Sequence, residues 1–184
     1  MELMPIFRLG LMNAWWLILP MVLPMAYLAA TKKEVAARMS DMTGYYTREK
    51  FFTVAASLAP YPFMITTIWT PFTSTKLLLF AGLAVYSIGV ASFITTIRVF
   101  VTTPLDKPFS AGIYRISRNP LYVSATLIFF GICLVTANVL LFAWLVIIVV
   151  PQHFMILAEE RVCREKYGTE FERYMAKVPR YLLL

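Results

Sequence analysis

Between Arg118 and Glu159 about forty residues pass without a single Asp, Glu, Lys or Arg. A soluble domain of 184 residues has no interior large enough to shelter so long an uncharged run. Crossing the hydrocarbon of a bilayer takes about twenty apolar residues per helix. The Thr136-Ala137-Asn138 break divides the run into residues 121–137 and 139–157, each near the minimum spanning length. The two segments therefore read as the arms of a tight helical hairpin.

The same pattern recurs upstream. Residues 11–30 are apolar, carry Trp15 and Trp16 near one end as interfacial anchors, and contain Pro20 and Pro24. They fit a removable leader poorly and read as a first span. A second span falls at about 51–70, FFTVAASLAPYPFMITTIWT, and a third at about 76–97, which begins KLLLFAGLAVYSIGV. The expected fold is an all-α integral membrane protein of about five transmembrane helices. It ends in the C-terminal hairpin and a charged cytosolic helix running from Glu159 to near Pro179. The chain reads as one membrane domain, 1–184, with spans 1–3 and their loops in 1–103 and the hairpin region in 104–184.

Five spans sort the loops into two sets, and charge separates them. Fifteen of the 17 lysines and arginines fall in loop 31–50, insert 98–120 and the tail, while only Arg8 and Lys76 fall on the other side. By the positive-inside rule the N-terminus is expected outside and the C-terminus in the cytoplasm. The formal net charge of +7 then reflects orientation and attraction to anionic lipid headgroups rather than nucleic-acid binding. Cys133 and Cys163 sit in an apolar span and a charged tail, so they suggest neither a disulfide framework nor a metal site. His153 is the only histidine and reads as a helix-terminal structural residue, and no metal is expected.

A hairpin returns its two ends to one interface. The turn GIYRISRNPLY, residues 112–122, should therefore lie beside the tail that begins EERVCREKYG at Glu159. Arg118, Asn119 and Tyr122 are expected near Glu159 and Glu160. Arginines meet carboxylate or phosphate, a glutamate meets an amine, and tyrosine faces attract a cationic centre, so a ligand with both kinds of charge would suit the site. Several bland assignments also fit. Glu160 and Arg164 are four residues apart on a helix and could simply pair. Arg115 and Arg118 could only anchor the interface, and Asn119-Pro120 would start a helix under any function.

The run G-I-Y-R-I-S-R-N-P-L-Y, an apolar hairpin, then E-E-R-V-C-R-E-K-Y-G-T-E-F-E-R-Y and a closing P-R-Y together resemble a known family. It is the membrane methyltransferases typified by isoprenylcysteine carboxyl methyltransferase and the phospholipid N-methyltransferases. Their usual pattern is G-x-Y-x-x-x-R-H-P-x-Y followed by E-E, and the resemblance covers about 104–181. It implies an S-adenosylmethionine pocket over the last hairpin, facing the cytosol, with a lipophilic acceptor entering from the membrane. Residues 104–184 would then be the cofactor-binding region. By position in the pattern, Tyr114, Arg118, Asn119, Pro120, Leu121, Tyr122 and Glu159 would contact the cofactor. Asn119 replaces the family's histidine, which keeps a hydrogen bond but removes proton exchange near neutral pH.

Methyl transfer from a sulfonium is an in-line displacement that alignment and desolvation can accelerate without a metal. The acceptor is expected to be an isoprenylcysteine-type carboxylate or a phospholipid amine. An amine must shed a proton, with Glu160 the nearest candidate to take it, and Arg161 or Arg180 could hold an acidic acceptor or its phosphate. Two other readings stay open: a sterol-type membrane reductase using NADPH, which would want a further basic cluster and more spans, and a non-enzymatic scaffold or carrier.

Overall fold

The computed structural model describes residues 10–104 and 109–182, and Arg8 and Lys107 of the charge count lie outside these. Among the described residues the chain is helical, with no strand. A 3-10 turn at Ala14–Ile18 leads into α1 (Leu19–Thr31). Next come α2 (Lys33–Met39), α3 (Thr47–Leu58), α4 (Pro60–Thr67), α5 (Lys76–Thr102), α6 (Pro120–Thr136) and α7 (Val139–Met175).

Among the described residues three segments are long and apolar enough to cross a membrane: Ala14–Thr31, Lys76–Thr102 and Val139–Met175. The expected span at 51–70 falls instead on α3 and α4, of 12 and 8 residues, because Pro60 and Pro62 interrupt the run. Trp144 of α7 donates its indole N–H to the Ala59 carbonyl at that joint, 2.8 Å away. α6 is apolar but has only 17 residues. Large apolar side chains face outward along the long helices, Leu77, Phe80, Ile88 and Val146 all being more than half exposed. Such a surface suits lipid rather than water.

The core sits where α5, α6 and α7 meet the 3-10 turn and α4, around Phe63, Phe129, Ile132 and Leu141. α6 packs closely along α5 and far less along α7. At the α5–α6 crossing a Cβ on Gly131 would come within 2.7 Å of the Tyr86 backbone nitrogen, so the helices approach more closely than any larger residue allows. The α6–α7 turn is closed by Ala137 in the left-handed region and by Asn138, whose side chain accepts from Leu140 N at 2.9 Å. α7 does not stop where its charge begins. It continues through Glu159 to Met175, bent at Gly168, where φ is +52°. The chain then folds back, so that residues 176–182 cross the turn before α6.

Candidate functional site

The 3-10 turn Gly112–Arg115, the start of α6, the middle of α7 and the returning segment 176–182 meet at one place. Asn119 precedes Pro120 at the first turn of α6, where a missing N–H costs nothing. Backbone contacts fasten the returning segment. Arg118 N–H donates to the Pro179 carbonyl at 3.0 Å, and the Arg180 carbonyl accepts from Ser117 Oγ at 3.1 Å and Asn119 Nδ2 at 3.2 Å.

Glu160 is the centre of this junction and is buried. Its Oε1 accepts from Arg118 Nε at 3.1 Å and Asn119 Nδ2 at 3.0 Å. Its Oε2 accepts from Arg118 Nη2 at 3.3 Å and from Arg180 Nε and Nη2, each at 2.9 Å. A carboxylate offers about four acceptor positions, so none is left to face a substrate. The proton-accepting role expected of Glu160 therefore has no free oxygen to perform it. Nor does Glu160 pair with Arg164, which instead approaches the Met175 sulfur at 3.8 Å.

Arg161 points away from this cluster. It donates Nε to Glu49 Oε1 at 2.9 Å, Nη1 to Glu165 at 2.7 Å and Nη2 to the Gly44 carbonyl at 2.9 Å, with its guanidinium 4.1 Å from the Tyr46 ring centre. It joins the loop before α3 to α7. The Arg161 hydrogen bonds hold the Glu49 carboxyl below its ordinary range.

Glu159 has a different environment. The Tyr122 hydroxyl donates to its Oε1, and among the described residues it forms no ion pair. Burial pushes the Tyr114 hydroxyl up, and the nearby Glu159 charge adds to the effect. Tyr45, from the loop before α3, is pushed up for the same two reasons in the same order. Three phenol rings thus stand around one carboxylate that has no ion-pair partner among the described residues. The Tyr114 ring is itself packed on Phe109, with centres 5.4 Å apart, and its carbonyl accepts from Tyr174 Oη at 2.6 Å. Pro120 is buried and Leu121 half-buried at the start of α6.

Sequence reasoning missed Tyr45 and Glu49, which no motif marks, and Ser117, which falls at an unspecified position of the pattern at 112–122. His153 lies inside α7 rather than at a helix end, with Nδ1 2.6 Å from Tyr181 Oη.

Comparison with known families matches residues 77–170, just over half of the chain, to phospholipid methyltransferase. The chain belongs to the phospholipid methyltransferase family. It groups with the isoprenylcysteine-methyltransferase-like membrane enzymes. It is an S-adenosylmethionine-dependent membrane methyltransferase, and family membership implies a phospholipid substrate. No curated protein and no solved structure matched the chain. The matched region runs from α5 into the tail of α7 and contains the turn 112–122, Glu159 and Glu160, whereas Arg180 and Tyr181 lie beyond it.

The residues present fit the cofactor. S-adenosylmethionine supplies an activated methyl group on a cationic sulfonium beside an amino acid end. An uncompensated carboxylate ringed by tyrosines offers a charge partner and aromatic faces to such a cation. Among the described residues no group of three or more His, Cys, Asp and Glu side chains is placed to hold a metal.

Proposed function

We propose that this enzyme methylates the amine nitrogen of a phospholipid headgroup at the cytosolic face of the membrane. The observation that carries this reading is the Glu159 carboxylate, half-buried among Tyr45, Tyr114 and Tyr122 with no ion-pair partner among the described residues, inside the region that matches the family. Glu159 and Tyr122 hold the positively charged end of the cofactor, with Tyr114 and the backbone of Asn119, Pro120 and Leu121 forming the adjoining wall. Residues 104–184 make up the cofactor-binding region. Arg118, Glu160 and Arg180 keep that wall in register, and Arg161 fixes the loop that carries Tyr45.

Five crossings remain our reading of the topology, with α3 and α4 together forming the second and α6 the fourth. The N-terminus is outside and the C-terminus cytoplasmic, which puts the basic loops and the cofactor wall on one side.

Calorimetric titration of detergent-purified enzyme with S-adenosylmethionine, its demethylated product and NADPH tests the cofactor site. Binding of the first two and not the third is expected. Glu159→Gln and Asn119→Ala should each weaken cofactor affinity at least about tenfold, or roughly 1.4 kcal/mol. Unchanged affinity in both variants places the pocket elsewhere. Transfer of a labelled methyl group to phosphatidylethanolamine, but not to an isoprenylcysteine analogue, would decide the acceptor.

A further inference from the structure

We propose that His153 takes the proton that the amine headgroup must lose, and that the lipid reaches it through the cleft between α6 and α7. The inference rests on the amine acceptor proposed above and assigns the proton acceptor that Glu160 has no free oxygen to be.

Where α6 and α7 separate, a cavity of about 500 Å³ opens between them. Tyr122, Thr126 and Leu127 line one side, and Val149, Val150 and Phe154 the other. A second cavity of about 310 Å³ shares Thr126, Leu127, Val149 and Val150 and continues toward Leu145. From His153 to Leu145 is eight residues, or about 12 Å along a helix. The lining is hydrocarbon apart from one end, where Gln152, His153 and Tyr181 gather beside Tyr122. A slot in a membrane-spanning hairpin that is polar at the interface and apolar beneath it has the shape of a phospholipid, headgroup above and acyl chain below.

His153 is oriented within this slot. Its Nδ1 is 2.6 Å from the hydroxyl of Tyr181, which the returning segment brings across. With Nδ1 donating to the Tyr181 oxygen, Nε2 keeps its lone pair for an incoming proton. The neighbouring polar groups are few. Gln152 donates to Thr126 Oγ1 at 3.3 Å, Tyr122 is tied to Glu159, and the charges acting on Tyr181, Arg180 and Glu160, are paired with each other. From α3, Phe52 stacks on Phe154 with ring centres 4.5 Å apart, and the charge that side brings, Arg48, lies over Phe52 with its guanidinium 5.9 Å from the ring centre and is not part of the slot's lining. Tyr122 lines the slot and also donates to Glu159, and so stands where the lipid slot meets the cofactor wall.

The step balances without any further reactant. The headgroup ammonium gives one proton to His153 Nε2. Its freed electron pair then forms the N–C bond to the methyl carbon while the C–S bond breaks and its pair goes to sulfur, leaving a neutral thioether. His153 then releases the proton to water. Each successive methylation of the same nitrogen repeats this, since the mono- and dimethylated ammonium groups still carry a proton.

The test uses the full-length enzyme in mixed micelles with phosphatidylethanolamine and its mono- and dimethylated forms. In His153→Gln, kcat/KM near pH 7 should fall on the order of a hundredfold, the scale of general base catalysis, for all three lipids. The deficit should shrink as the pH rises toward the headgroup's own pKa, with S-adenosylmethionine affinity unchanged. Tyr181→Phe, which keeps the ring and loses the hydroxyl, should shift the acid limb of the profile by less. Val149→Trp, which fills the slot, should raise KM for lipid several-fold and spare cofactor affinity. A His153→Gln deficit that is absent or constant with pH, an unmoved acid limb in Tyr181→Phe, or an unchanged lipid KM in Val149→Trp overturns the proposal. Failure of the wild-type enzyme to methylate any amine lipid instead overturns the reading of its acceptor, and the role of His153 with it.

Discussion

Arg118 grips both carboxylate oxygens of Glu160 across 42 residues of sequence, Nε on Oε1 at 3.1 Å and Nη2 on Oε2 at 3.3 Å. Arg180 shares Oε2 from the other side. The two arginines are not equivalent. Arg118 is 9% exposed and spends a further donor on the Met175 carbonyl, whereas Arg180 is 31% exposed. Arg118→Ala should therefore cost the more, about 3 kcal/mol as is usual when one partner leaves a buried pair, and Arg180→Ala clearly less. Arg118→Lys should recover little, because a single ammonium cannot make the fork. Thermal unfolding in detergent ranks the three, and equal losses for the two alanine variants would contradict the assignment.

Tyr122→Phe separates the carboxylate from its hydrogen-bond donor. Glu159 keeps its carboxyl group but loses the hydroxyl, so cofactor affinity should fall by less than in Glu159→Gln. An equal loss would show that the phenol, not the carboxylate, makes the decisive contact. Calorimetry on both variants gives the comparison.

The latch between α3 and α7 should be sensitive to acid. Hydrogen bonds from Arg161 lower the folded-state pKa of Glu49, so the unfolded chain binds this proton more readily than the folded one. The contribution is complete above the ordinary glutamate range and is lost as the pH falls through the lowered folded value. Wild type and Glu49→Gln should thus differ in melting temperature near neutrality and converge in acid. A difference that grows on acidification would reverse the sign and refute the latch.

Close approach of α5 and α6 predicts intolerance at Gly131. An added methyl would meet Tyr86 backbone and Cβ atoms at 2.7–2.8 Å, and neither can rotate away. Gly131→Ala should destabilise by about 1–3 kcal/mol, as overpacking typically does, while Gly168→Ala should tell mainly on the bend in α7. Melting temperatures of the two variants measure the first effect directly.

Residue by residue, legibility followed distance and chemistry. That Arg118, Asn119 and Tyr122 face Glu159 and Glu160 could be read in advance, because an apolar hairpin of fixed length leaves its two ends little choice. Which arginine meets which glutamate could not. Arg161 follows Glu160 in the chain, but consecutive helix positions point about 100° apart, and its partner Glu49 lies 112 residues away in the first turn of α3, where no motif marks it. The helix end expected before Glu159 was inferred from a change in charge. Charge marks the interface and not the end of hydrogen bonding, so α7 runs on and His153 falls within it. The run at 51–70 differs for the opposite reason: it is built as two helices rather than one, since Pro60 and Pro62 break a run that hydropathy alone treats as continuous.

The junction at Glu160 also has a bearing on biogenesis. It draws together the turn before α6, the distal half of α7 and the segment after it, which leave the ribosome at different moments. They can meet only if the hairpin has been threaded so that all three emerge on the same side. A misthreaded chain would strand a carboxylate and two guanidinium groups without partners, and quality-control machinery could recognise it by those orphaned charges. Under the five-crossing topology proposed above, the clasp therefore closes only in a correctly threaded chain.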